Sequence, residues 1–171
     1  MISPDYCVTM AHYNGWQNRQ LKAALTTLDH AALTQDRGAF FGSILGTANH
    51  LLWGDRMWMA RFAGIEPPDC GIPESPGLTG SVEEWALERF RTDSAMLLWA
   101  KGVRSVDLTG VMRWYSGALG HEVEKPLALC VMHMFNHQTH HRGQIHALLT
   151  QAGARAPVTD LPFMPAEGPW L

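Results

Sequence analysis

Apolar side chains recur at helical spacing in four long stretches of this chain, separated by segments rich in glycine and proline. The first stretch, VTMAHYNGWQNRQLKAALTTL, puts Met10, Tyr13, Leu21, Ala24, Leu25 and Leu28 on one stripe. Ser3 is a good N-cap and Pro4 suits the first helical position, so the pattern predicts a helix over about residues 4–29. HAALTQDRG reads as a connector. FFGSILGTANHLLWGDRMWMARFAG predicts a second long helix, with Gly64 as its C-cap. Its stripe holds Ile44, Ala48, Leu51, Asp55, Trp58 and Phe62. Asp55 is the anomaly there, because a buried carboxylate needs a charged or hydrogen-bonding partner.

IEPPDCGIPESPGLTG is loop. Ser81 and Glu84 then form a capping box, and a third helix runs through Trp85, Leu87, Phe90, Met96, Leu97 and Trp99 to about Gly102. VRSVDLTGVMRWYSGALGHEVEKP has β-branched and aromatic residues split by SGALG, which predicts a short hairpin or an irregular excursion. A fourth helix starts near Pro126 and continues to about Ala152, with Gly153 after it. The tail, ARAPVTDLPFMPAEGPWL, reads as surface chain without regular structure. The fold class is therefore all-α, a four-helix bundle in one domain spanning 1–171, with its core at about 4–152 and a tail at 153–171. The long second and third connections leave the helix order open.

Composition narrows the function classes. At 171 residues, 46% hydrophobic and 17% charged, the chain suits one globular domain with a real core. Seven Trp and nine Met allow a well-filled interior with an apolar cavity or a pairing surface to spare. A net charge of −3 without a basic stripe argues against nucleic acid as a partner. No apolar run reaches membrane-spanning length, and the start MISPDYCVTMAHYNGW does not read as a secretory leader. Cys7, Cys70 and Cys130 are too few and scattered for a disulfide framework, and read as reduced thiols in a cytoplasm.

Candidate chemistry lies in NHQTHHRGQIH, residues 136–146. The fourth helix carries His133, His137, His140, His141 and His146. Leu127, Val131, Met134, Ile145, Leu148 and Leu149 define its buried face, which places His141 inside the stripe and His137 on its edge. Histidines four apart share a helix face, so this pair is either a metal pair or a hydrogen-bonded core pair. A third ligand must come from elsewhere. His50 of the second helix flanks the Leu51/Asp55 stripe and can reach the same level, although on its own it reads as a core histidine. Three imidazoles suit zinc, nickel, copper or ferrous iron and leave room for water or substrate. His133 and His140 lie further round and read as groups bordering the site. His12, His30, His121 and His146 read as surface or cap residues. Arg142 offers a charge partner for Asp55 across two helices, and Gly143 a close helix approach.

NHQTHHRGQ, with a lone His in a preceding Trp-rich helix followed five residues later by Asp, resembles the DinB family of damage-inducible bacterial proteins. YNGWQNRQLKAAL is similar to that family's first helix, and the likeness spans roughly residues 10–152. The resemblance implies an up-down-down-up four-helix bundle, commonly a homodimer, with His50, His137 and His141 as metal ligands. It implies nickel or zinc as the metal, with iron or manganese as further options. It also implies a metal-dependent enzyme that transfers a low-molecular-weight thiol to an electrophile. A metal-dependent hydrolase and a non-enzymatic stress protein with a structural or sensory metal stand as alternatives. No evident Glu adjoins the triad to act as a base, which favours thiol chemistry.

Overall fold

A computed structural model describes residues 2–117 and 119–171; Met1 and Ala118, the middle of the SGALG stretch, lie outside the described residues. The chain is mostly helical. In order it forms α1 (Pro4–Leu25), α2 (His30–Thr34), α3 (Ile44–Ala63) and α4 (Val82–Gly102), then β1 (Val111–Ser116), β2 (His121–Pro126) and α5 (Leu127–Gln151). Among the described residues no helix is long and apolar enough to cross a membrane.

Capping chemistry sets most boundaries. The Ser3 hydroxyl accepts from Tyr6 N and starts α1, as expected. Ser81 Oγ accepts from Glu84 N at 3.2 Å, while a Glu84 carboxylate oxygen accepts from Gly80 N at 2.7 Å. Gly64, left-handed at φ 67°, closes α3.

Three expectations need correction. α1 ends at Leu25 rather than near residue 29, because Asp29 caps a separate short helix by accepting from Ala32 N. That helix, α2, lies inside the segment read as a connector. α3 begins at Ile44 and not at Phe40: Ser43 caps it through Gly46 N, and Gly42 at φ 73° turns the chain just before. Phe40 projects outward, 84% exposed. In α4, Leu87 and Phe90 face solvent, whereas Arg89, Thr92 and Asp93 are buried.

β1 and β2 pair antiparallel, Val111 opposite Pro126 and Trp114 opposite Val123, so the excursion is a hairpin that runs straight into α5. The tail is irregular apart from one turn of 3-10 helix at Leu161–Phe163. It is nonetheless tied to α1. Tyr13 OH donates to the Thr159 carbonyl at 2.5 Å, Gln17 Nε2 to Val158 O at 2.7 Å and Arg19 Nη1 to Pro169 O at 2.7 Å.

Two apolar clusters fill the interior. One gathers Leu21, Leu25, Ile44, Leu51, Trp85 and Leu149; the other gathers Cys7, Ala11, Met59, Met96, Val131 and Phe135. On every long helix buried polar residues separate them: Asn14 and Asn18 on α1, Asp55 on α3, Arg89 and Asp93 on α4, Gln138 and Arg142 on α5. α1 and α5 therefore pass from the second cluster to the first, and α3 and α4 pass the other way.

Candidate metal centre

α3 and α5 pack against each other and bring His50 together with His137 and His141. One ring nitrogen from each lies within 4.8 Å of the others. His50 and His141 are buried, and His137 is half-buried. Their neighbours set the tautomers. Ser75 Oγ donates its only proton to the Ile72 carbonyl at 2.7 Å, so at 2.8 Å it can only accept from His50 Nδ1–H. The Gln144 amide oxygen likewise accepts from His141 Nδ1–H at 2.8 Å, while its Nε2 points to His140 Nε2 at 3.3 Å. His50 and His141 thus keep lone pairs on Nε2.

His137 has no such settled state. Its Nε2 lies 3.0 Å from His141 Nε2, and its Nδ1 is buried without a hydrogen-bond partner. With the proton on Nε2, the lone pair on Nδ1 is orphaned. With the proton on Nδ1, two Nε2 lone pairs face each other, a conflict that a shared cation removes. The donor set therefore fits a metal ion, and supporting partners are already in place on two of its three rings.

Burial keeps the three rings neutral, which is the ligating form. It is the main cause of the depression of His50 to about 3, with help from His141 and then His137. It depresses His137 to about 4, again before the contribution of His141, and it lowers His141 as well. Two further features hold the geometry. Phe41 stacks on His50 with ring centroids 3.7 Å apart. Gly54 clears space for His137, since a Cβ there would lie 2.6 Å from Cε1.

His133 and His140 stand outside this group. Both are exposed on α5; His133 packs against Trp58 at 5.2 Å between centroids, and His140 against His141 at 4.8 Å. Burial and the Arg61 cation lower the His133 pKa. Of the remaining histidines, His30 and His121 are exposed, while His12 and His146 are half-buried. A Cβ on Gly143 would meet nothing within 4 Å, so that glycine does not serve a close helix approach.

The expected Asp55–Arg142 pair is replaced by another. Asp55 accepts from Arg89 Nη1 of α4 at 2.7 Å and from Gln138 Nε2 of α5 at 3.0 Å. Arg89 Nη2 also lies 2.6 Å from Asp93 Oδ1, which accepts from Asn14 Nδ2 at 2.7 Å. Burial raises the Asp93 pKa, against the pull of Arg89 and Asn18. Arg142 turns instead towards α1, where it bonds Asn14 Oδ1 and lies 5.8 Å from the Tyr13 ring. Burial lowers it to about 10. The physical reason is position: Arg142 lies on the α1 side of α5, and Arg89 already neutralises Asp55. The sequence held a signal for this network in the i,i+4 pairs Arg89/Asp93 and Asn14/Asn18.

The histidines open into a cavity of about 1030 Å³. Phe41, Trp53, Met57, Trp58 and Trp114 line it, and among the described residues no Asp or Glu does so. The 65–80 loop forms one rim. It is pinned by Trp53 Nε1 donating to Cys70 O at 2.8 Å and by Asn49 Nδ2 donating to Pro76 O and Thr79 O at 2.9 Å. Those bonds place Ser75 beneath His50.

Comparison with known proteins adds kinship. The model of the DinB family matches residues 1–169. Protein DinB of Bacillus subtilis (strain 168) is 26% identical over 162 residues, covering 91% of this chain and 91% of that one. The crystal structure of a DinB-like protein from Bacillus cereus ATCC 10987 shares the fold. Its TM-score is 0.60 at 20% identity, over 84% of this chain and 90% of that one.

Proposed function

We propose that this chain, which belongs to the DinB family, holds a divalent metal on His50, His137 and His141 and presents a low-molecular-weight thiol to an electrophile. The carrying observation is the convergence of three neutral imidazoles from two helices at the wall of an open apolar cavity. When bound, the ion supplies positive charge that favours thiolate over thiol at neutral pH, and the thiolate is the nucleophile. Three protein donors leave coordination room for an incoming ligand. The all-imidazole set supports zinc or nickel ahead of iron or manganese.

The chain's own residues bind, orient and exclude water. Ser75 and Gln144 hold the His50 and His141 rings with Nε2 towards the cavity. Phe41, Trp53 and Met57 give the cavity a dry wall. The absence of Asp and Glu from the described lining weighs against hydrolysis, which needs a base to take a proton from water. The opposed senses of α1/α5 and α3/α4 support an up-down-down-up bundle.

Elemental analysis of protein purified without added metal or an affinity tag should find about one divalent ion per chain, lost in His50→Ala. The cobalt-loaded protein should change its visible spectrum on addition of glutathione, bacillithiol or mycothiol, and should turn over an electrophilic probe with one of them. Hydrolysis of an ester or amide without thiol turnover would establish the hydrolase instead. A spectrum indifferent to both thiol and azide would establish a closed structural metal.

A further inference from the structure

Arg61 is an unexplained cation in this cavity. Among the described lining residues it is the only Lys or Arg, and none of them is a carboxylate. It makes no ion pair among the described residues, although every other arginine in the hairpin region has one: Arg104 with Asp107, and Arg113 with Glu124. Its guanidinium lies 4.6 Å from the centroid of the Trp58 ring and 5.3 Å from that of Trp114. Trp114 belongs to β1, so the hairpin supplies half of this aromatic clamp. The two indoles lie edge to face, 68° apart in plane, and flank the cation. The guanidinium has no hydrogen-bond partner among the described residues, and an unpaired fork of N–H donors suits a planar oxyanion. Half-burial lowers the Arg61 pKa, so the charge is held at a cost that a bound anion would offset.

We propose that Arg61 is a carboxylate-binding subsite for an extended anion whose apolar body lies along the indoles and whose other end faces the histidines. A single cation between apolar walls matches one negative charge better than a phosphate dianion. Arg61 follows His50 by 61 − 50 = 11 residues on the same helix, a rise of about 16 Å. The guanidinium leans back over Trp58, one turn nearer His50, so a ligand spanning roughly 10 Å bridges the two ends. The inference deepens the thiol reading, because it makes the thiol or its acceptor a carboxylate of that length, and it rests on that reading only for the far end of the ligand.

Two arms separate the claims. In metal-free protein, tryptophan fluorescence is titrated with 4-phenylbutyrate and with its neutral amide. The acid should bind about tenfold or more tightly than the amide. Arg61→Gln should abolish that preference and Arg61→Lys should restore part of it. Equal binding of acid and amide by the wild type, or a preference that survives Arg61→Gln, overturns the subsite. In cobalt-loaded protein, 6-mercaptohexanoate and 6-mercaptohexanol are compared by the sulfur-to-cobalt charge-transfer band. A band with both thiols, tighter for the acid, supports the whole arrangement. No band while the phenylbutyrate preference persists removes the thiol reading and leaves the Arg61 subsite standing.

Discussion

His137 occupies the space that a side chain on Gly54 would take: a Cβ at residue 54 would lie 2.6 Å from its Cε1 and 3.2 Å from its Nδ1. The contact crosses from α3 to α5 and is rigid on one side, because Gly54 is helix backbone. The ring must move if the glycine is replaced. Gly54→Ala should therefore weaken metal binding about 10- to 100-fold while leaving the helical content intact. Calorimetric titration with zinc, paired with circular dichroism, reads both; unchanged affinity would contradict the coupling of Gly54 to the metal site.

The acceptors behind the other two rings should matter similarly. Ser75→Ala leaves His50 Nδ1–H without its 2.8 Å partner, and Gln144→Leu does the same to His141. Each should lower metal affinity about tenfold or more, and the two losses should add, since they act on separate rings. Ser75→Thr, which keeps the hydroxyl, should retain most of the affinity.

Asp55 should be a stability residue. It is fully buried, and its charge is met by Arg89 rather than Arg142. Asp55→Ala should cost on the order of 3–5 kcal/mol in denaturant unfolding, because Arg89 is then left buried with half its partners. A double-mutant cycle should find coupling above about 1 kcal/mol for Asp55 with Arg89 and less for Asp55 with Arg142. The reverse ranking would contradict the network.

Metal-free protein should lose stability on mild acidification. His50 and His137 are depressed in the fold from 6.5 to about 3 and about 4. Below pH 6.5 the unfolded chain binds protons that the folded chain refuses, so stability falls as pH drops from about 6.5 towards 4. The measurement is the urea midpoint across that window for wild type and His50→Gln. The variant should show the shallower slope, and identical slopes would refute the buried, neutral state of His50.

The tail should act as a strap on α1. Trp170 stacks on His12 at 3.8 Å, and a Cβ on Gly15 would collide with Leu171 Cδ2 at 2.7 Å. Trp170→Ala should cost about 1 kcal/mol and speed proteolysis of the last residues, with metal affinity unchanged.

Sequence alone determined the helical class, the four long helices, the capping box at Ser81, the hairpin option and the histidine trio. All but the third histidine are written in local periodicity or local spacing, where backbone geometry relates neighbours in the chain. Helical period put His137 and His141 on one face, and family likeness joined His50 to them. Tertiary structure decided what depends on which helices become neighbours. Asp55 meets Arg89 because α4 lies beside α3, and Arg142 turns to Asn14 because α1 lies on its other side. α4 shows the limit most plainly: its apolar Leu87 and Phe90 face water, while its charged Arg89 and Asp93 are inside. Periodicity cannot reveal that inversion, because a buried charge is tolerated only when counter-charges arrive from other helices. Nor could it foresee Gly54, Ser75 or Arg61, whose meaning lies in an imidazole, a ring nitrogen and a pair of indoles that the fold brings across to them.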